Sequence, residues 1–341
     1  MQPLITFLVP CYNSEDYMEK CINSILVGRK FANIEIIIVD DGSTDNTGKI
    51  ADRYEKNYPD ICRVIHQKNQ GHGEGLNQGI RYGRGLYYKV VDSDDWIDEK
   101  AYRKTVQHLK RAEMQGGVDV FITNFVYEHI GNGTFNMHFR GILPQNRIFT
   151  WKETRPFFLT KHFMMHNCLF NMKLIHKMNV KLPKHIFYED SYFTDIMISG
   201  TNRLYYVDED FYRYLIGREG QSVNEEIMIK RAHHQYKLTW SLVNRLPIRK
   251  LMTKNPKLAR YLVHELGYML AETAVFMRLR RNKKSEYKMK QMWEHVMEKD
   301  SKIGKRLRYC SLATFIMFPG TVGREISIWI YRQTQKVMKF N

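Results

Sequence analysis

The chain has 341 residues, of which 43% are hydrophobic and 13% aromatic; it can bury a sizeable core, which excludes a disordered chain. No stretch approaches the roughly 18–20 uninterrupted apolar residues of a spanning helix. The net charge of +17 is unevenly placed: residues 1–225 hold 28 basic and 28 acidic side chains, whereas residues 226–341 hold 25 basic and 8 acidic ones.

A charge step of that size points to two regions with different partners. For the basic tail the candidates are anionic lipid, a polyphosphate acceptor or nucleic acid. The cysteines, Cys11, Cys21, Cys62, Cys168 and Cys310, are odd in number and form no CxxC pair. That argues against a disulfide framework or a zinc site and fits a reducing cytoplasm. The first residues lack a basic leader and a small-residue cleavage site, so they read as a strand rather than a signal peptide.

Leu4 to Val9 is a short apolar run ending at Pro10, as expected of a buried strand. Asn13 or Ser14 then caps a helix whose inner rows include Tyr17, Cys21 and Ile25. Glu35 to Val39 reads as a second strand, and Thr44 or Asp45 caps the helix after it. Arg63 to His66 gives a third strand, a glycine-rich segment runs from Asn69 to Gly79, and Tyr87 to Val91 gives a fourth. Strands alternating with helices in this way predict an α/β doubly wound, mostly parallel sheet.

Beyond residue 100 the pattern loosens. Val118 to Tyr127 reads as a strand, residues 130–150 as loops or a hairpin, and Leu204 to Val207 and Phe211 to Leu215 as two late strands. From about Glu225 the chain turns helical, with Leu258, Leu262, Leu266 and Leu270 on one face. A basic run spans Arg278 to Lys290; Pro319-Gly320 then breaks an apolar segment. Val322, Ile326, Trp329, Ile330, Val337 and Met338 line a last helical face.

Five segments could carry chemistry. Asp92-Ser93-Asp94-Asp95 follows a strand, where open parallel sheets hold ligands. Carboxylates so close repel unless a cation such as Mg²⁺ or Mn²⁺ joins them; a solvated turn capping the next helix is the competing reading. Asp40-Asp41 also ends a strand and could accept a hydrogen bond from a nucleobase or ribose, or cap a helix. The glycines at 71, 73, 75 and 79 allow close approach to phosphate, but neither the Walker loop nor the dinucleotide fingerprint is present. Tyr188-Glu189-Asp190 lies among apolar residues, so its carboxylates suit a general base of raised pKa or a helix cap. Arg218, in a polar loop, could reach a diphosphate or simply face solvent. The histidines show no metal-ligand spacing.

Taken in order, Val9-Pro10-Cys11-Tyr12-Asn13, Val39 to Asp45, Asn69 to Gly79, Val91 to Trp96 and Tyr188-Glu189-Asp190 resemble glycosyltransferase family 2, the inverting family with the GT-A fold. The resemblance is strong over residues 4–100, weaker to about 225 and absent from the tail. It implies a GT-A catalytic domain over residues 1–225, with a nucleotide-binding half to 100 and an acceptor-binding half beyond, followed by a basic helical region over 226–341.

It also implies roles. Pro10, Tyr12 and Asn13 would border the nucleobase, with Asp41 or Asp40 hydrogen-bonding it. Gly71, Gly73 and Asn77 would lie along the nucleotide. Asp92 and Asp94 would form the DxD motif, with Asp94, Asp92 and Asp95 around Mn²⁺ or Mg²⁺. Asp190, beside Glu189, matches the catalytic base. Many relatives carry Ala-Arg-Asn where this chain has Gly75-Leu76-Asn77, so the loop arginine is missing; Arg218 and Gln221 would hold the diphosphate instead.

The expected partners are a nucleotide-sugar donor, expected to be a UDP-sugar, and a glycan or lipid-linked acceptor of surface-polysaccharide synthesis. Basic helices followed by an apolar, Trp-containing segment suggest peripheral contact with the anionic inner face of the cell membrane; packing on the catalytic domain or a second copy of the chain is the alternative. No nucleic acid is expected, since the tail lacks a recognition motif and an aromatic platform. A nucleotide-sugar-binding protein without transfer activity and a nucleotidyltransferase are the other readings.

Overall fold

The computed structural model describes residues 2–131, 133–157, 161–217, 225–309, 311, 314 and 320–338. They fall into two compact units, Met1–Pro156 with Phe163–Arg218 and Phe157–His162 with Glu219–Asn341.

The first unit opens with β1 (Ile5–Cys11), α1 (Met18–Leu26), β2 (Ile34–Asp40), α2 (Thr47–Asn57), β3 (Cys62–His66), α3 (His72–Tyr82) and β4 (Tyr87–Val90). It continues through β5 (Trp96–Ile97), α4 (Glu99–Met114), β6 (Val120–His129), β7 (Gly133–Met137) and β8 (Ile148–Phe149). It closes with β9 (Cys168–Asn171), α5 (Met172–Met178), α6 (Glu189–Ser199) and β10 (Leu204–Ile216). The main sheet runs β3-β2-β1-β4-β9-β6-β10-β5. Neighbours from β3 to β4 are parallel, as is the β6–β10 pair, and β9 joins the two blocks antiparallel. This is the mixed, doubly wound α/β arrangement that the strand–helix alternation predicts.

Every residue of β1 and β2 is buried, which explains why they read as continuous apolar runs rather than alternating ones. Glu35 is the exception in chemistry. Its carboxylate sits inside the sheet and accepts from Thr6 Oγ1 at 2.7 Å, Arg84 N at 2.8 Å and Arg84 Nε at 2.6 Å. A buried charge so satisfied fastens β2 to β1 and to the turn entering β4. The parallel register Cys11↔Asp40 and Leu8↔Val90 brings the carboxyl ends of β2, β1 and β4 to one edge.

Several boundaries differ from the sequence expectation. Helix α1 starts at Met18, not directly after Asn13 or Ser14. The Ser14 N–H is drawn to Thr47 Oγ1 and its hydroxyl lies 2.8 Å from Ser93 Oγ, while its carbonyl accepts from Tyr17 N and Met18 N in a tight turn. Helix α3 begins inside the glycine-rich segment. The two late strands are one, β10, whose register against β6 shifts between Tyr206, Asp210 and Tyr212; the bulge is what split the apolar pattern. Residues 133–137 do form a hairpin strand against β6.

The second unit comprises α7 (Glu225–Arg245), α8 (Ile248–Lys254), α9 (Pro256–Leu279), α10 (Lys283–Lys299), α11 (Ser301–Tyr309) and α12 (Gly320–Met338). Asn255 caps α9 through Leu258 N, with Pro256 in the first turn. Leu258, Leu262, Leu266 and Leu270 are buried as their spacing requires, but so are residues on the other faces of α9, which is the central helix of this unit. Arg278, first residue of the basic run, turns inward and donates to Gly323 O at 3.1 Å and Ser327 Oγ at 2.8 Å. On α12, Ser327 and Ile328 are buried, whereas Val322, Ile326 and Trp329 are 74, 42 and 62% exposed. Val337 and Met338 belong to the expected face, but their side chains lie outside the described part. Among the described residues no helix is long and apolar enough to cross a membrane. The four cysteines described, Cys11, Cys21, Cys62 and Cys168, are buried free thiols.

Candidate active site

The acidic run leaves β4 at the shared carboxyl edge. It does not cap the next helix: Asp98 does that, accepting from Ala101 N at 3.0 Å. The run is therefore held by other contacts. Asp95 is buried, and its oxygens accept from Tyr212 OH at 2.5 Å and Leu215 N at 2.8 Å. The same Tyr212 hydroxyl accepts from Asp92 N at 3.2 Å. Burial and the charges of Asp94 and Asp92 push the Asp95 carboxyl well above the ordinary range.

Asp92 is met from two sides. His72 Nε2 lies 3.2 Å from its Oδ1 and His166 Nε2 lies 3.3 Å from its Oδ2. Burial would raise this carboxyl, but the hydrogen bonds from His166 and His72 and their charges hold it below the ordinary carboxylate range. His72 Nδ1 in turn lies 2.6 Å from Glu189 Oε1. Burial works to lower the His72 pKa, yet its bonds to Asp92 and Glu189 keep it well above the usual histidine value. A continuous chain of polar contacts thus runs Glu189, His72, Asp92, His166.

The supports of this chain are themselves fixed. His166 stacks on Tyr214 with centroids 4.6 Å apart, and its Nδ1 is buried without a hydrogen-bond partner. Its main chain is held by Lys89, a fully buried lysine of β4 whose Nζ donates to the carbonyls of Met165 and His166. Burial brings the Lys89 pKa down to about 7.

Helix α6 presents Glu189 and Asp190 in its first turn, where the helix dipole favours carboxylates. Tyr188 before it is left-handed, with φ 73°, a conformation uncommon for a bulky residue and frequent at functional turns. Its side chain makes no capping bond to α6. Burial and the Glu189 charge raise the Asp190 carboxyl, and its charge is felt by Tyr127 and Tyr214.

The glycine-rich segment docks against the approach to α6. Gly71, at φ 86°, would place a Cβ 2.9 Å from His185 N, and Gly73 would place one 2.8 Å from Pro183 O. Asn77 exchanges two hydrogen bonds with Leu182, each 2.9 Å, and His185 N donates to Gln70 O at 2.8 Å. Here the glycines and Asn77 admit the protein's own chain. Asp41 secures the other end of the segment: its oxygens accept from Gln67 Nε2, Gln70 N and Gly71 N at 2.6–2.8 Å. Asp40 accepts from Ser43 N at 3.0 Å and faces His66 Nδ1 at 3.0 Å; burial opposes ionisation, but these bonds lower its pKa. Neither aspartate caps α2, whose cap position is Asn46.

Pro10 is buried at the end of β1, and Tyr12 beside it is 52% exposed. Asn13, at φ 49°, receives Thr44 N on its side chain at 2.8 Å and donates its own N–H to Ser43 Oγ. These residues, Asp40, Asp41 and the acidic run share the carboxyl edge. Arg218 and Gln221 lie outside the described residues.

Ligand atoms of Asp92, Asp95 and His166 all lie within 4.8 Å of one another. Two carboxylates and an imidazole nitrogen fit a divalent cation that takes oxygen and nitrogen donors; Asp94, expected on the metal, is not one of this group. Asp95 keeps acceptor capacity beyond its two bonds. His72 and His166 are the residues that spacing missed. They stand 20 and 74 positions from Asp92, and only the fold brings them there.

A family model described as Glycosyl transferase family 2 matches residues 6–178. The Bacillus subtilis protein described as uncharacterized glycosyltransferase EpsJ is 31% identical over 245 residues, covering 69% of this chain and 67% of that one. The Streptococcus pneumoniae glycosyltransferases GlyG and GlyA are matched over 45% and 30% of their own lengths. Among solved structures, Staphylococcus aureus TarS 1-349 in complex with UDP-GlcNAc superposes with a TM-score of 0.53 at 18% identity, covering 90% of this chain and 92% of that one. Mannosyltransferase PcManGT from Pyrobaculum calidifontis in complex with GDP-Man and Mn²⁺ gives 0.52 at 14% identity, over 89% and 87%. At such identities the likeness is one of fold.

Proposed function

The chain belongs to glycosyl transferase family 2, and on that premise we propose that it moves a hexosyl or N-acetylhexosaminyl group from a UDP-sugar to a hydroxyl of a glycan or lipid-linked acceptor, with inversion, in surface-polysaccharide synthesis. The observation that carries this reading is the closure of three distant motifs on one point: His72 of the glycine-rich segment touches both Asp92 of the acidic run and Glu189 of α6. The bound nucleotide sugars of TarS and PcManGT support the donor class.

In this reading the nucleotide lies along the carboxyl edge, with its base between Pro10, Tyr12, Asn13 and the Asp40-Asp41 turn. Asp92, Asp94, Asp95 and His166 would hold Mn²⁺ or Mg²⁺, which when bound supplies Lewis-acid neutralisation of the leaving diphosphate. Asp190 takes the proton of the acceptor hydroxyl as that oxygen bonds to the anomeric carbon. The bond from that carbon to the diphosphate breaks at the same time, releasing UDP. Attack from the side opposite the leaving group turns an α-linked donor into a β-linked product. The raised pKa of Asp190 suits a base that must hold a proton transiently.

The helical unit supplies the second half of the proposal, contact with an anionic membrane surface from the cytoplasmic side. Val322, Ile326 and Trp329 project from one face of α12; Arg324 of the same helix and Arg281, in the turn between α9 and α10, pair with Glu325 at 3.1 and 2.9 Å. Apolar side chains flanked by cations are what an interfacial helix presents to anionic lipid. A screen of nucleotide sugars for Mn²⁺-dependent UDP release tests the activity. No release from any donor, with and without a glycan acceptor, would overturn it.

A further inference from the structure

We propose that His72 is a positioning residue of this site: its ring bridges Asp92 and Glu189 and clamps the two carboxylates in register. The proposal rests on the glycosyltransferase reading and adds a residue whose contribution spacing gave no reason to suspect.

Both ring nitrogens of His72 face carboxylate oxygens, Glu189 at 2.6 Å and Asp92 at 3.2 Å. The ring therefore bridges the acidic run and the first turn of α6, one nitrogen to each. His72 is the first residue of α3, directly after Gly71, whose N–H is fixed by Asp41 at 2.8 Å. The ring is therefore aimed from a fixed backbone.

A purely structural role is already filled by other groups. The glycine-rich segment is joined to the approach of α6 by the Asn77–Leu182 pair and by His185 N on Gln70 O. Those bonds remain when the ring is removed. What would be lost is orientation. The Asp92 carboxylate would keep His166 on one oxygen and lose its partner on the other, while buried Glu189, next to Asp190, would lose its contact with the ring. His166 spends its Nε2 on Asp92, so it does not take over the link to Glu189.

The test compares wild type with His72→Ala and His72→Gln. Two readouts are used: kcat and KM for UDP release, and calorimetric UDP affinity in Mn²⁺. We expect His72→Ala to lose about 100-fold in kcat, the scale of a small misplacement of reacting groups, with little change in melting temperature. We expect UDP affinity in Mn²⁺ to fall about tenfold, and millimolar imidazole to restore part of both losses. His72→Gln, whose single amide group does not span both carboxylates as the two ring nitrogens do, should behave like His72→Ala; it also serves if the alanine variant folds poorly. Turnover and UDP affinity within about threefold of wild type in either variant would overturn the proposal, as would losses that follow the melting temperature and ignore imidazole. A wild type that releases UDP from no donor sinks the glycosyltransferase reading instead, and the affinity readout then decides the role of His72 alone.

Discussion

The two units of this chain treat charge in opposite ways. In the first, carboxylates are drawn inside and each is met by a designated donor: Glu35 by Thr6 and Arg84, Asp95 by Tyr212 and Leu215, Asp92 by two imidazoles. In the second, among the described residues, the surplus of basic side chains faces outward, Arg278 being the buried exception, and large apolar side chains are exposed beside them. A group that performs chemistry has to be held, and holding a buried charge requires partners. A group that meets a charged surface works by staying accessible to it. Electrical balance in the first 225 residues and imbalance in the rest are the sequence-level trace of that difference.

The contrast can be broken experimentally. The largest effect should come from Asp190→Asn, which removes the proton acceptor proposed above. Turnover should fall about 10³-fold, within the range for a general base, with UDP affinity nearly intact; near-normal turnover would show that the base is elsewhere. Next is the double variant Ile326→Asp, Trp329→Ser. Binding to anionic vesicles in a flotation assay should drop about 100-fold, while UDP release from a soluble donor stays at the wild-type rate. If wild type fails to float with anionic lipid even at low salt, the membrane role of α12 fails.

Asp94→Ala should erase the part of UDP affinity that Mn²⁺ adds, about tenfold or 1.4 kcal/mol; equal affinity with and without Mn²⁺ in wild type would remove the metal from this site. Arg278→Met removes the two hydrogen bonds that Arg278 donates to Gly323 O and Ser327 Oγ, and should cost about 1–3 kcal/mol in thermal melting of the helical unit. An unchanged melting curve would mean that the contact is not structural. The smallest effect is on pH. The raised pKa of Asp190 means that the working, deprotonated form is lost as pH falls through a value above the ordinary aspartate range. The acid limb of kcat should lie there, and should vanish in the residual activity of Asp190→Asn.

The half of the fold from β1 to β4 was legible because β1 and β2 are nearly continuous apolar runs and β1, β2 and β4 each lead into a polar motif. Local pattern says less about the strands beyond β4. β10 carries a bulge that reads as two strands, and β9 is only Cys168–Asn171 in length. The site was legible where a motif is contiguous, as in Asp92 to Asp95, and illegible where contacts span the chain. His166 reaches Asp92 because β9 inserts between β4 and β6, an event no spacing rule encodes. The choice between cap and ligand for the acidic run also needed the folded chain, since only there is the capping bond seen to belong to Asp98. Asp41 was singled out for a base contact, and its oxygens are seen to fasten the glycine-rich segment.

The Tyr212 hydroxyl, which joins Asp95 to the backbone of Asp92 across 120 positions of sequence, bears on how portable this site is. A fragment ending before β10 would carry the whole acidic run and yet leave the Asp95 carboxylate without either of its donors. The cost of an unmet buried carboxyl would then fall on the turn that carries Asp92 and Asp94. The half from β1 to β4 is thus not a cassette that can be cut out and grafted elsewhere. Its assembly waits on the last strand of the sheet, so during synthesis the site would be completed only after some two-thirds of the chain has emerged.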